Sequence, residues 1–200
     1  MAAHLGGPAL LALHARALEH FGDLVRAVPA DGWRAPTPCA DWTVRQLVGH
    51  LASEQLWVPE LLAGATVAEV GDRFDGDVLG DDPAAAWTAA ADAARAAFAG
   101  PGALERTVQL SYGARRADGY AREMTVDAIV HAWDLARGIG ADATIDPAAA
   151  EFALAELTPQ AGALASSGLF AEPVPVPADA DAATRLLGLV GRDPARPPGR

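Results

Sequence analysis

Lysine is absent from this sequence of 200 residues, and all 15 basic side chains are arginine. Together with 26 aspartates and glutamates they give a formal net charge of -11. A chain this acidic lacks the basic surface that binds nucleic acid or an anionic membrane, so we expect neither as a partner. The single cysteine, Cys39, excludes an internal disulfide framework and fits a reducing compartment, so we expect a cytoplasmic protein. No apolar run approaches the roughly 18 residues of a transmembrane helix.

About half of the residues are apolar, which is enough for one domain with a sizeable core. Apolar side chains recur at spacings of three and four, a period typical of amphipathic helices. The predicted helices span residues 8–28, 43–63, 83–98, 120–139 and 147–167. Thr43 and Gln46 form a T-x-x-Q capping box at the start of the second helix, and Pro83 suits the first turn of the third. Pro59 predicts a kink or an end in the second helix, and Pro159 a bend in the fifth.

The segments between the helices are acidic, extended or rich in proline. Residues 64–82 contain five aspartates and four glycines and predict an exposed acidic loop. Residues 106–113 alternate apolar and polar side chains and predict a short strand or an extended crossover. The sequence therefore predicts an all-α four-helix bundle over residues 1–168. A proline-rich C-terminal segment, residues 169–200, is expected to pack on the bundle, with one short helix around 180–190 and a disordered end.

Histidine is also scarce, with five residues in the chain. His50 lies in the predicted second helix and His131 in the fourth, each beside carboxylates at helical spacing. Asp127 and His131 are four residues apart, so on a helix they present an oxygen and a nitrogen to the same point. If His50 faces them across the bundle, three protein ligands leave a fourth position open. That is the ligand count of a catalytic metal site.

Two other interpretations of these residues stay open. Asp127, His131 and Asp134 also fit a solvated acidic face that Glu123 continues, because a buried carboxylate requires a cationic partner. His50 lies to one side of the apolar stripe of its helix, so it also fits a hydrogen-bonded residue at the edge of the core.

Several further residues are candidates for supporting roles. Glu54 or Asp134 could orient a ligating imidazole by accepting a hydrogen bond from its second nitrogen. Alternatively, Asp134 could pair with an arginine such as Arg45 or Arg137. His14 lies on the apolar face of the first helix and fits a core histidine, with a fourth metal ligand as the alternative.

Three segments, taken together, resemble one known family: TPCADWTVRQLVGHL (37–51), VDAIVHAWDLARGIG (126–140) and LFAEPVPVPADADAATRLLGLVGRDP (169–194). The chain resembles an actinobacterial family of metal-binding proteins related to the N-terminal domain of mycothiol-dependent maleylpyruvate isomerase, within the DinB-like superfamily. The resemblance spans nearly the whole chain. It implies a DinB-like four-helix bundle with a divalent metal, usually zinc or nickel, whose ligands fall on His50, Asp127 and His131.

The resemblance also implies a function and its alternative. A small-molecule substrate would react with mycothiol as cosubstrate, so we expect a thiol-dependent transferase or isomerase, with Arg45 or Arg122 as candidates for holding a substrate carboxylate. The alternative is a metal- or ligand-binding module of the same fold without catalysis. The isomerase has glutamate where this chain has Asp127, and it has a separate C-terminal domain that this chain does not match. Because bundles of this superfamily often pair, the resemblance is compatible with a homodimer.

Overall fold

The computed structural model describes residues 5–39, 42–162, 171–177 and 179–195. Within these ranges the chain forms seven α-helices and one antiparallel sheet of two strands. The α-helices are α1 (Gly7–Arg26), α2 (Val44–Ala63), α3 (Val67–Val70), α4 (Pro83–Phe98), α5 (Ala117–Ile139), α6 (Pro147–Leu157) and α7 (Ala182–Leu189). The strands are β1 (Thr107–Leu110) and β2 (Gly113–Arg116). Short 3-10 helices cover Gly32–Arg34, Ala103–Glu105 and Thr158–Gln160.

Helices α1, α2, α4 and α5 form a four-helix bundle, and each of them packs against two others. Both α1 and α2 lie against α4 and α5, so the apolar stripes of all four helices meet at one axis. The largest fully buried side chains of the bundle include Leu10, Phe21, Leu47, Leu51, Trp87, Phe98 and Leu135. The predicted all-α bundle is therefore confirmed.

The start of α2 has the capping box that the sequence predicts. The backbone N–H of Thr43 donates to Gln46 Oε1 at 2.9 Å, and the N–H of Gln46 donates to Thr43 Oγ1 at 3.4 Å. Pro59 does not end the helix, which continues to Ala63 and stops at Gly64, whose φ of +102° is left-handed. The cap fixes the first turns of α2, and these turns carry His50.

Helix α5 is the most enclosed element of the bundle, with 16 of its 23 residues buried. It contacts α1, α2 and α6, so water reaches little of its circumference. It begins at Ala117, three residues before the predicted start, because the chain enters it directly from β2. The predicted extended crossover is a hairpin of β1 and β2, whose two strands pair over their whole length.

The acidic loop of residues 64–82 packs on α2. Arg45 Nη2 lies 2.6 Å from Asp77 Oδ2, and Arg73 Nη1 lies 2.6 Å from Glu60 Oε1. Its remaining aspartates are exposed, as predicted, whereas Leu79 is buried in the core. The loop is thus attached to the helix that carries His50.

The C-terminal part of the chain differs from the prediction in one element. Helix α6 ends at Leu157, and a 3-10 turn follows that contains Pro159, since proline offers no N–H to continue the α-helix. The rest of the predicted fifth helix, residues 163–167, lies outside the described residues, as does the predicted disordered end, 196–200. Helix α7 lies within the short helix predicted for 180–190 and packs on α6.

Candidate metal centre

The structure brings His50, Asp127 and His131 together at the interface of α2 and α5. Asp127 Oδ2 lies 3.6 Å from His50 Nε2, and Asp127 Oδ1 lies 3.4 Å from His131 Nε2. All three donor atoms are within 4.8 Å of one another. Helix α2 supplies one donor and α5 supplies two from successive turns, as the four-residue spacing predicts.

The spacing of these donors fits a small divalent ion. Ligand atoms about 2.1 Å from a tetrahedral zinc ion are about 3.4 Å from one another. Asp127 Oδ2 is buried and has no hydrogen-bond partner in the described part of the chain, although buried carboxylate oxygens are normally paired. Two imidazole nitrogens and one carboxylate suit zinc and nickel alike.

The three side chains are electrostatically complementary. Burial by itself raises the pKa of an aspartate, but the neighbouring imidazoles of His131 and His50 outweigh it and hold the pKa of Asp127 below its ordinary value. Burial lowers the pKa of His131, yet Asp127 and Asp134 together raise it to about 9. The pair of carboxylates around His131 therefore favours positive charge at this point, from a proton or from a metal.

The second ring nitrogen of His131, Nδ1, has a hydrogen-bond partner on the side away from Asp127. Its Nδ1 lies 2.9 Å from Asp134 Oδ2, and the Asp134 carboxylate also accepts from Arg192, whose Nη2 lies 2.8 Å from Oδ2 and whose Nε lies 3.3 Å from Oδ1. Both Asp134 and Arg192 are buried. Asp134 thus has the orienting contact that the sequence suggested, but its arginine partner is Arg192 and neither Arg45 nor Arg137.

Cys39 and Trp42, from the loop before α2, border the centre. The Trp42 ring lies 4.7 Å from the His50 ring and 5.9 Å from the His131 ring, measured between centroids. The donor atoms of Cys39, His131 and Asp134 are also within 4.8 Å of one another. This second group is a poorer metal site, because Asp134 already accepts hydrogen bonds at both oxygens. Burial raises the pKa of the Cys39 thiol to about 11.

Glu54 lies one helical turn after His50 and close enough to interact with all three donor residues. Burial and the Asp127 carboxylate raise its pKa, and the two imidazoles oppose them. Glu54 is therefore an acidic group with a raised pKa beside the centre, whereas the orienting contact to an imidazole comes from Asp134.

The remaining candidates lie elsewhere. His14 is buried in the core with its ring 5.3 Å from the Phe98 ring, edge-on, and it is in neither donor group. Arg45 binds Asp77 and the carbonyl of Gly80, and Arg122 lies 2.7 Å from Glu156. Both arginines thus have partners within the fold, and their suggested role in holding a substrate carboxylate stays a prediction.

The family model described as mycothiol maleylpyruvate isomerase N-terminal domain matches residues 3–136. The chain belongs to this family. Two uncharacterized proteins of Mycobacterium tuberculosis, from strains CDC 1551 and H37Rv, are each 33% identical to it over 188 residues. These alignments cover 91% of this chain and 97% of each relative.

A crystal structure of a mutant of mycothiol-dependent maleylpyruvate isomerase has the same fold. The two structures superpose with a TM-score of 0.63 at 17% sequence identity, over 77% of this chain and 70% of the other. This likeness shows a DinB-like fold. None of the helices in the described ranges is long and apolar enough to span a membrane.

Arg192 is the site residue to which the sequence assigned no role. The G-R-D-P motif that contains it contributed to the family resemblance, but helical spacing cannot connect it to Asp134, 58 residues earlier. The family match to the mycothiol maleylpyruvate isomerase N-terminal domain ends at residue 136 and so includes Asp134 but not Arg192. One signal in the sequence bears on Arg192: the expectation that Asp134 pairs with an arginine.

Proposed function

We propose that this member of the family binds one divalent metal ion, zinc or nickel, through His50, Asp127 and His131. The observation that carries the proposal is the donor geometry: the two Asp127 oxygens lie 3.4 Å from His131 Nε2 and 3.6 Å from His50 Nε2, and the buried Oδ2 has no hydrogen-bond partner among the described residues. We further propose that the chain is an enzyme in which a small thiol reacts with a small-molecule substrate.

At such a centre the residues of the chain would have three roles: binding the ion, orienting a ligand and shielding the site from water. Three protein ligands leave a position open, and a divalent ion there supplies a Lewis acid that lowers the pKa of a bound thiol or water. His50 and His131 bind through Nε2 as neutral imidazoles, so both must lose the proton on that nitrogen. Asp134 keeps a proton on Nδ1 of His131 by accepting its hydrogen bond, and the Trp42 ring shields one side of His50 from water.

The thiol in this proposal is a cosubstrate rather than a side chain of the protein. Cys39 is the single cysteine, and burial raises the pKa of its thiol to about 11, which leaves little thiolate at neutral pH. The solved relative is named as mycothiol-dependent, and the family is named after it. We therefore infer mycothiol as the cosubstrate, in an isomerisation or a transfer. The raised pKa of Glu54, beside the three proposed ligands, makes it the candidate general acid or base for that step.

A metal-binding module without catalysis is the second candidate. It is favoured by the contacts of Arg45 and Arg122, because both guanidinium groups already have carboxylate partners within the fold, Asp77 and Glu156. It requires the same three ligands and no thiol chemistry.

Elemental analysis of the protein purified without chelator tests the metal proposal. We expect about one zinc or nickel per chain, and loss of that metal from the double variant His50→Ala/His131→Ala. The control is His20→Ala, which removes an exposed histidine of α1. Absence of metal from the wild type, even after reconstitution, would refute the site.

Turnover then separates the two functions. Metal-loaded wild type is incubated with mycothiol and a panel of small electrophiles, and thiol consumption and product formation are followed. Thiol-dependent turnover that the double variant lacks supports the enzyme. Metal binding without turnover across the panel supports the module.

A further inference from the structure

A buried ion pair connects the C-terminal segment to the candidate metal centre. Asp134 is 0% exposed and Arg192 is 5% exposed, and the guanidinium contacts both carboxylate oxygens. One of those oxygens, Oδ2, also accepts from Nδ1 of His131. The three groups form a continuous chain from the C-terminal segment to a proposed ligand.

This arrangement restricts the carboxylate more than a single contact would. A guanidinium is a planar fork, so two contacts to one carboxylate fix its plane as well as its position. Because Asp134 Oδ2 is shared, fixing the carboxylate also fixes the direction from which it accepts the Nδ1–H of His131. Rotation of the His131 ring would break this hydrogen bond at a site where both partners are buried, which makes the loss costly.

Arg192 is itself anchored by local contacts. Its Nη1 donates to the carbonyl of Val190 at 2.7 Å, and its backbone N–H donates to the carbonyl of Leu187 at 2.8 Å. Gly191, immediately before it, has a φ of +74° and lies against Ala171, where a Cβ would be 2.6 Å from the Ala171 carbonyl oxygen. The turn after α7 therefore requires glycine and directs the arginine inward.

We propose that Arg192 is a positioning residue of the metal centre, which acts through Asp134 to aim Nε2 of His131 at the ion. This inference rests on the proposed function for its metal and adds a part of the chain that lies beyond the family match. The turn after α7 thereby completes a centre whose ligands are on α2 and α5.

The variants Arg192→Met and Arg192→Lys test it, the first without the charge and the second with the charge but without the fork. The matched control is Arg122→Met, which removes another buried arginine of an ion pair, away from the centre. Zinc affinity is measured by competition with a chromophoric chelator. Arg192→Met is expected to weaken zinc binding by roughly 10-fold, the lower end of the range for direct outer hydrogen-bond partners of ligating histidines, because Arg192 acts through Asp134. Arg122→Met is expected to leave zinc binding unchanged.

A second measurement uses the metal-free protein, so it does not depend on metal binding. The Nδ1-bound proton of His131 is observed in imidazole ¹⁵N–¹H spectra and assigned with His131→Gln. We expect a signal protected from exchange in the wild type and in Arg122→Met, and its broadening or loss in Arg192→Met. If the wild type binds no zinc, the proposed function is refuted. The spectra of the metal-free protein still test whether Arg192 positions His131.

Unchanged zinc affinity together with an unchanged His131 signal in Arg192→Met would overturn the inference and leave the ion pair a purely structural one. Should Arg192→Met not fold, Arg192→Lys is judged by the same two measurements. A lysine ammonium cannot contact both carboxylate oxygens in one plane, so a smaller loss of affinity in the same direction is expected.

Discussion

Asp127 of α5 faces His50 of α2 across the bundle, with 3.6 Å between Oδ2 and Nε2. This separation is too long for a hydrogen bond and suits two ligands of one ion. Asp127 is the one carboxylate among the three proposed ligands.

Asp127→Asn keeps the shape of the side chain and removes its charge. We expect zinc affinity to fall by more than the roughly 10- to 100-fold attributed to outer hydrogen-bond partners, because a ligand itself is weakened. The helical circular dichroism should stay as in the wild type. Asp92→Asn, on the exposed face of α4, is the control, and equal zinc affinity of the two variants would contradict the assignment.

The buried position of His14 leads us to expect a loss of stability in acid. Burial, with a smaller contribution from Arg95, lowers its pKa from 6.5 to about 4 in the folded protein. Below pH 6.5 the unfolded chain binds a proton that the folded protein accepts only near pH 4, so stability is lost as the pH falls through this window. The full loss from this one group is about 3 kcal/mol.

The comparison of wild type with His14→Leu isolates that contribution, because the carboxylates titrate equally in both proteins. Urea unfolding at pH 7, 5.5 and 4.5 should show a shallower decline of the unfolding free energy in the variant. His20→Leu, at an exposed position, should decline like the wild type. If the unfolding free energy falls equally with decreasing pH in wild type and His14→Leu, the predicted contribution of His14 is ruled out.

The capping box of α2 should be measurable in stability. Thr43→Ala removes the oxygen that accepts from the Gln46 backbone, and loss of such a cap lowers the unfolding free energy by about 1 kcal/mol. Thr66 caps α3 in the same way, but α3 has four residues and one buried side chain, so Thr66→Ala should have a smaller effect. Chemical denaturation of both variants provides the comparison, and a larger loss in Thr66→Ala would contradict it.

We expect that an apolar substitution of Gln55 stabilises the protein. It is fully buried in α2, and neither atom of its side-chain amide has a hydrogen-bond partner in the described residues. Gln55→Met replaces the amide by an apolar group of similar shape, so the unfolding free energy should rise by about 1 to 3 kcal/mol. The exposed Gln109→Met should be neutral. A destabilised Gln55→Met would mean that an internal water satisfies the amide.

The sequence predicted what depends on neighbouring residues along the chain. The T-x-x-Q cap, the start of α4 at Pro83 and the shared direction of Asp127 and His131 follow from local geometry, and the structure has all three. That His50 faces Asp127 and His131 was predicted only as a condition. Periodicity places side chains on one face of a helix, but it does not place two helices against each other.

Contacts between distant segments were not predictable in this way. The hairpin of β1 and β2 depends on Gly113, whose φ of +125° turns the chain, and the alternating pattern before it indicates only one extended segment. The pairing of Asp134 with Arg192 depends on where α7 packs, and arginines nearer in sequence were equally compatible with the pattern. The position of the acidic loop on α2 likewise depends on ion pairs 13 and 32 residues apart.

Helix α7 and the turn after it pack on α6, place Leu186 and Val190 in the apolar core and connect to Asp134 through Arg192, so their detachment from an otherwise folded bundle would be a local opening of the protein. Each detachment would separate Arg192 from Asp134 and release the His131 ring. The rate at which the centre exchanges its ion would then follow the opening rate of this segment rather than global unfolding, and the amides of α7 would exchange hydrogen on the same timescale.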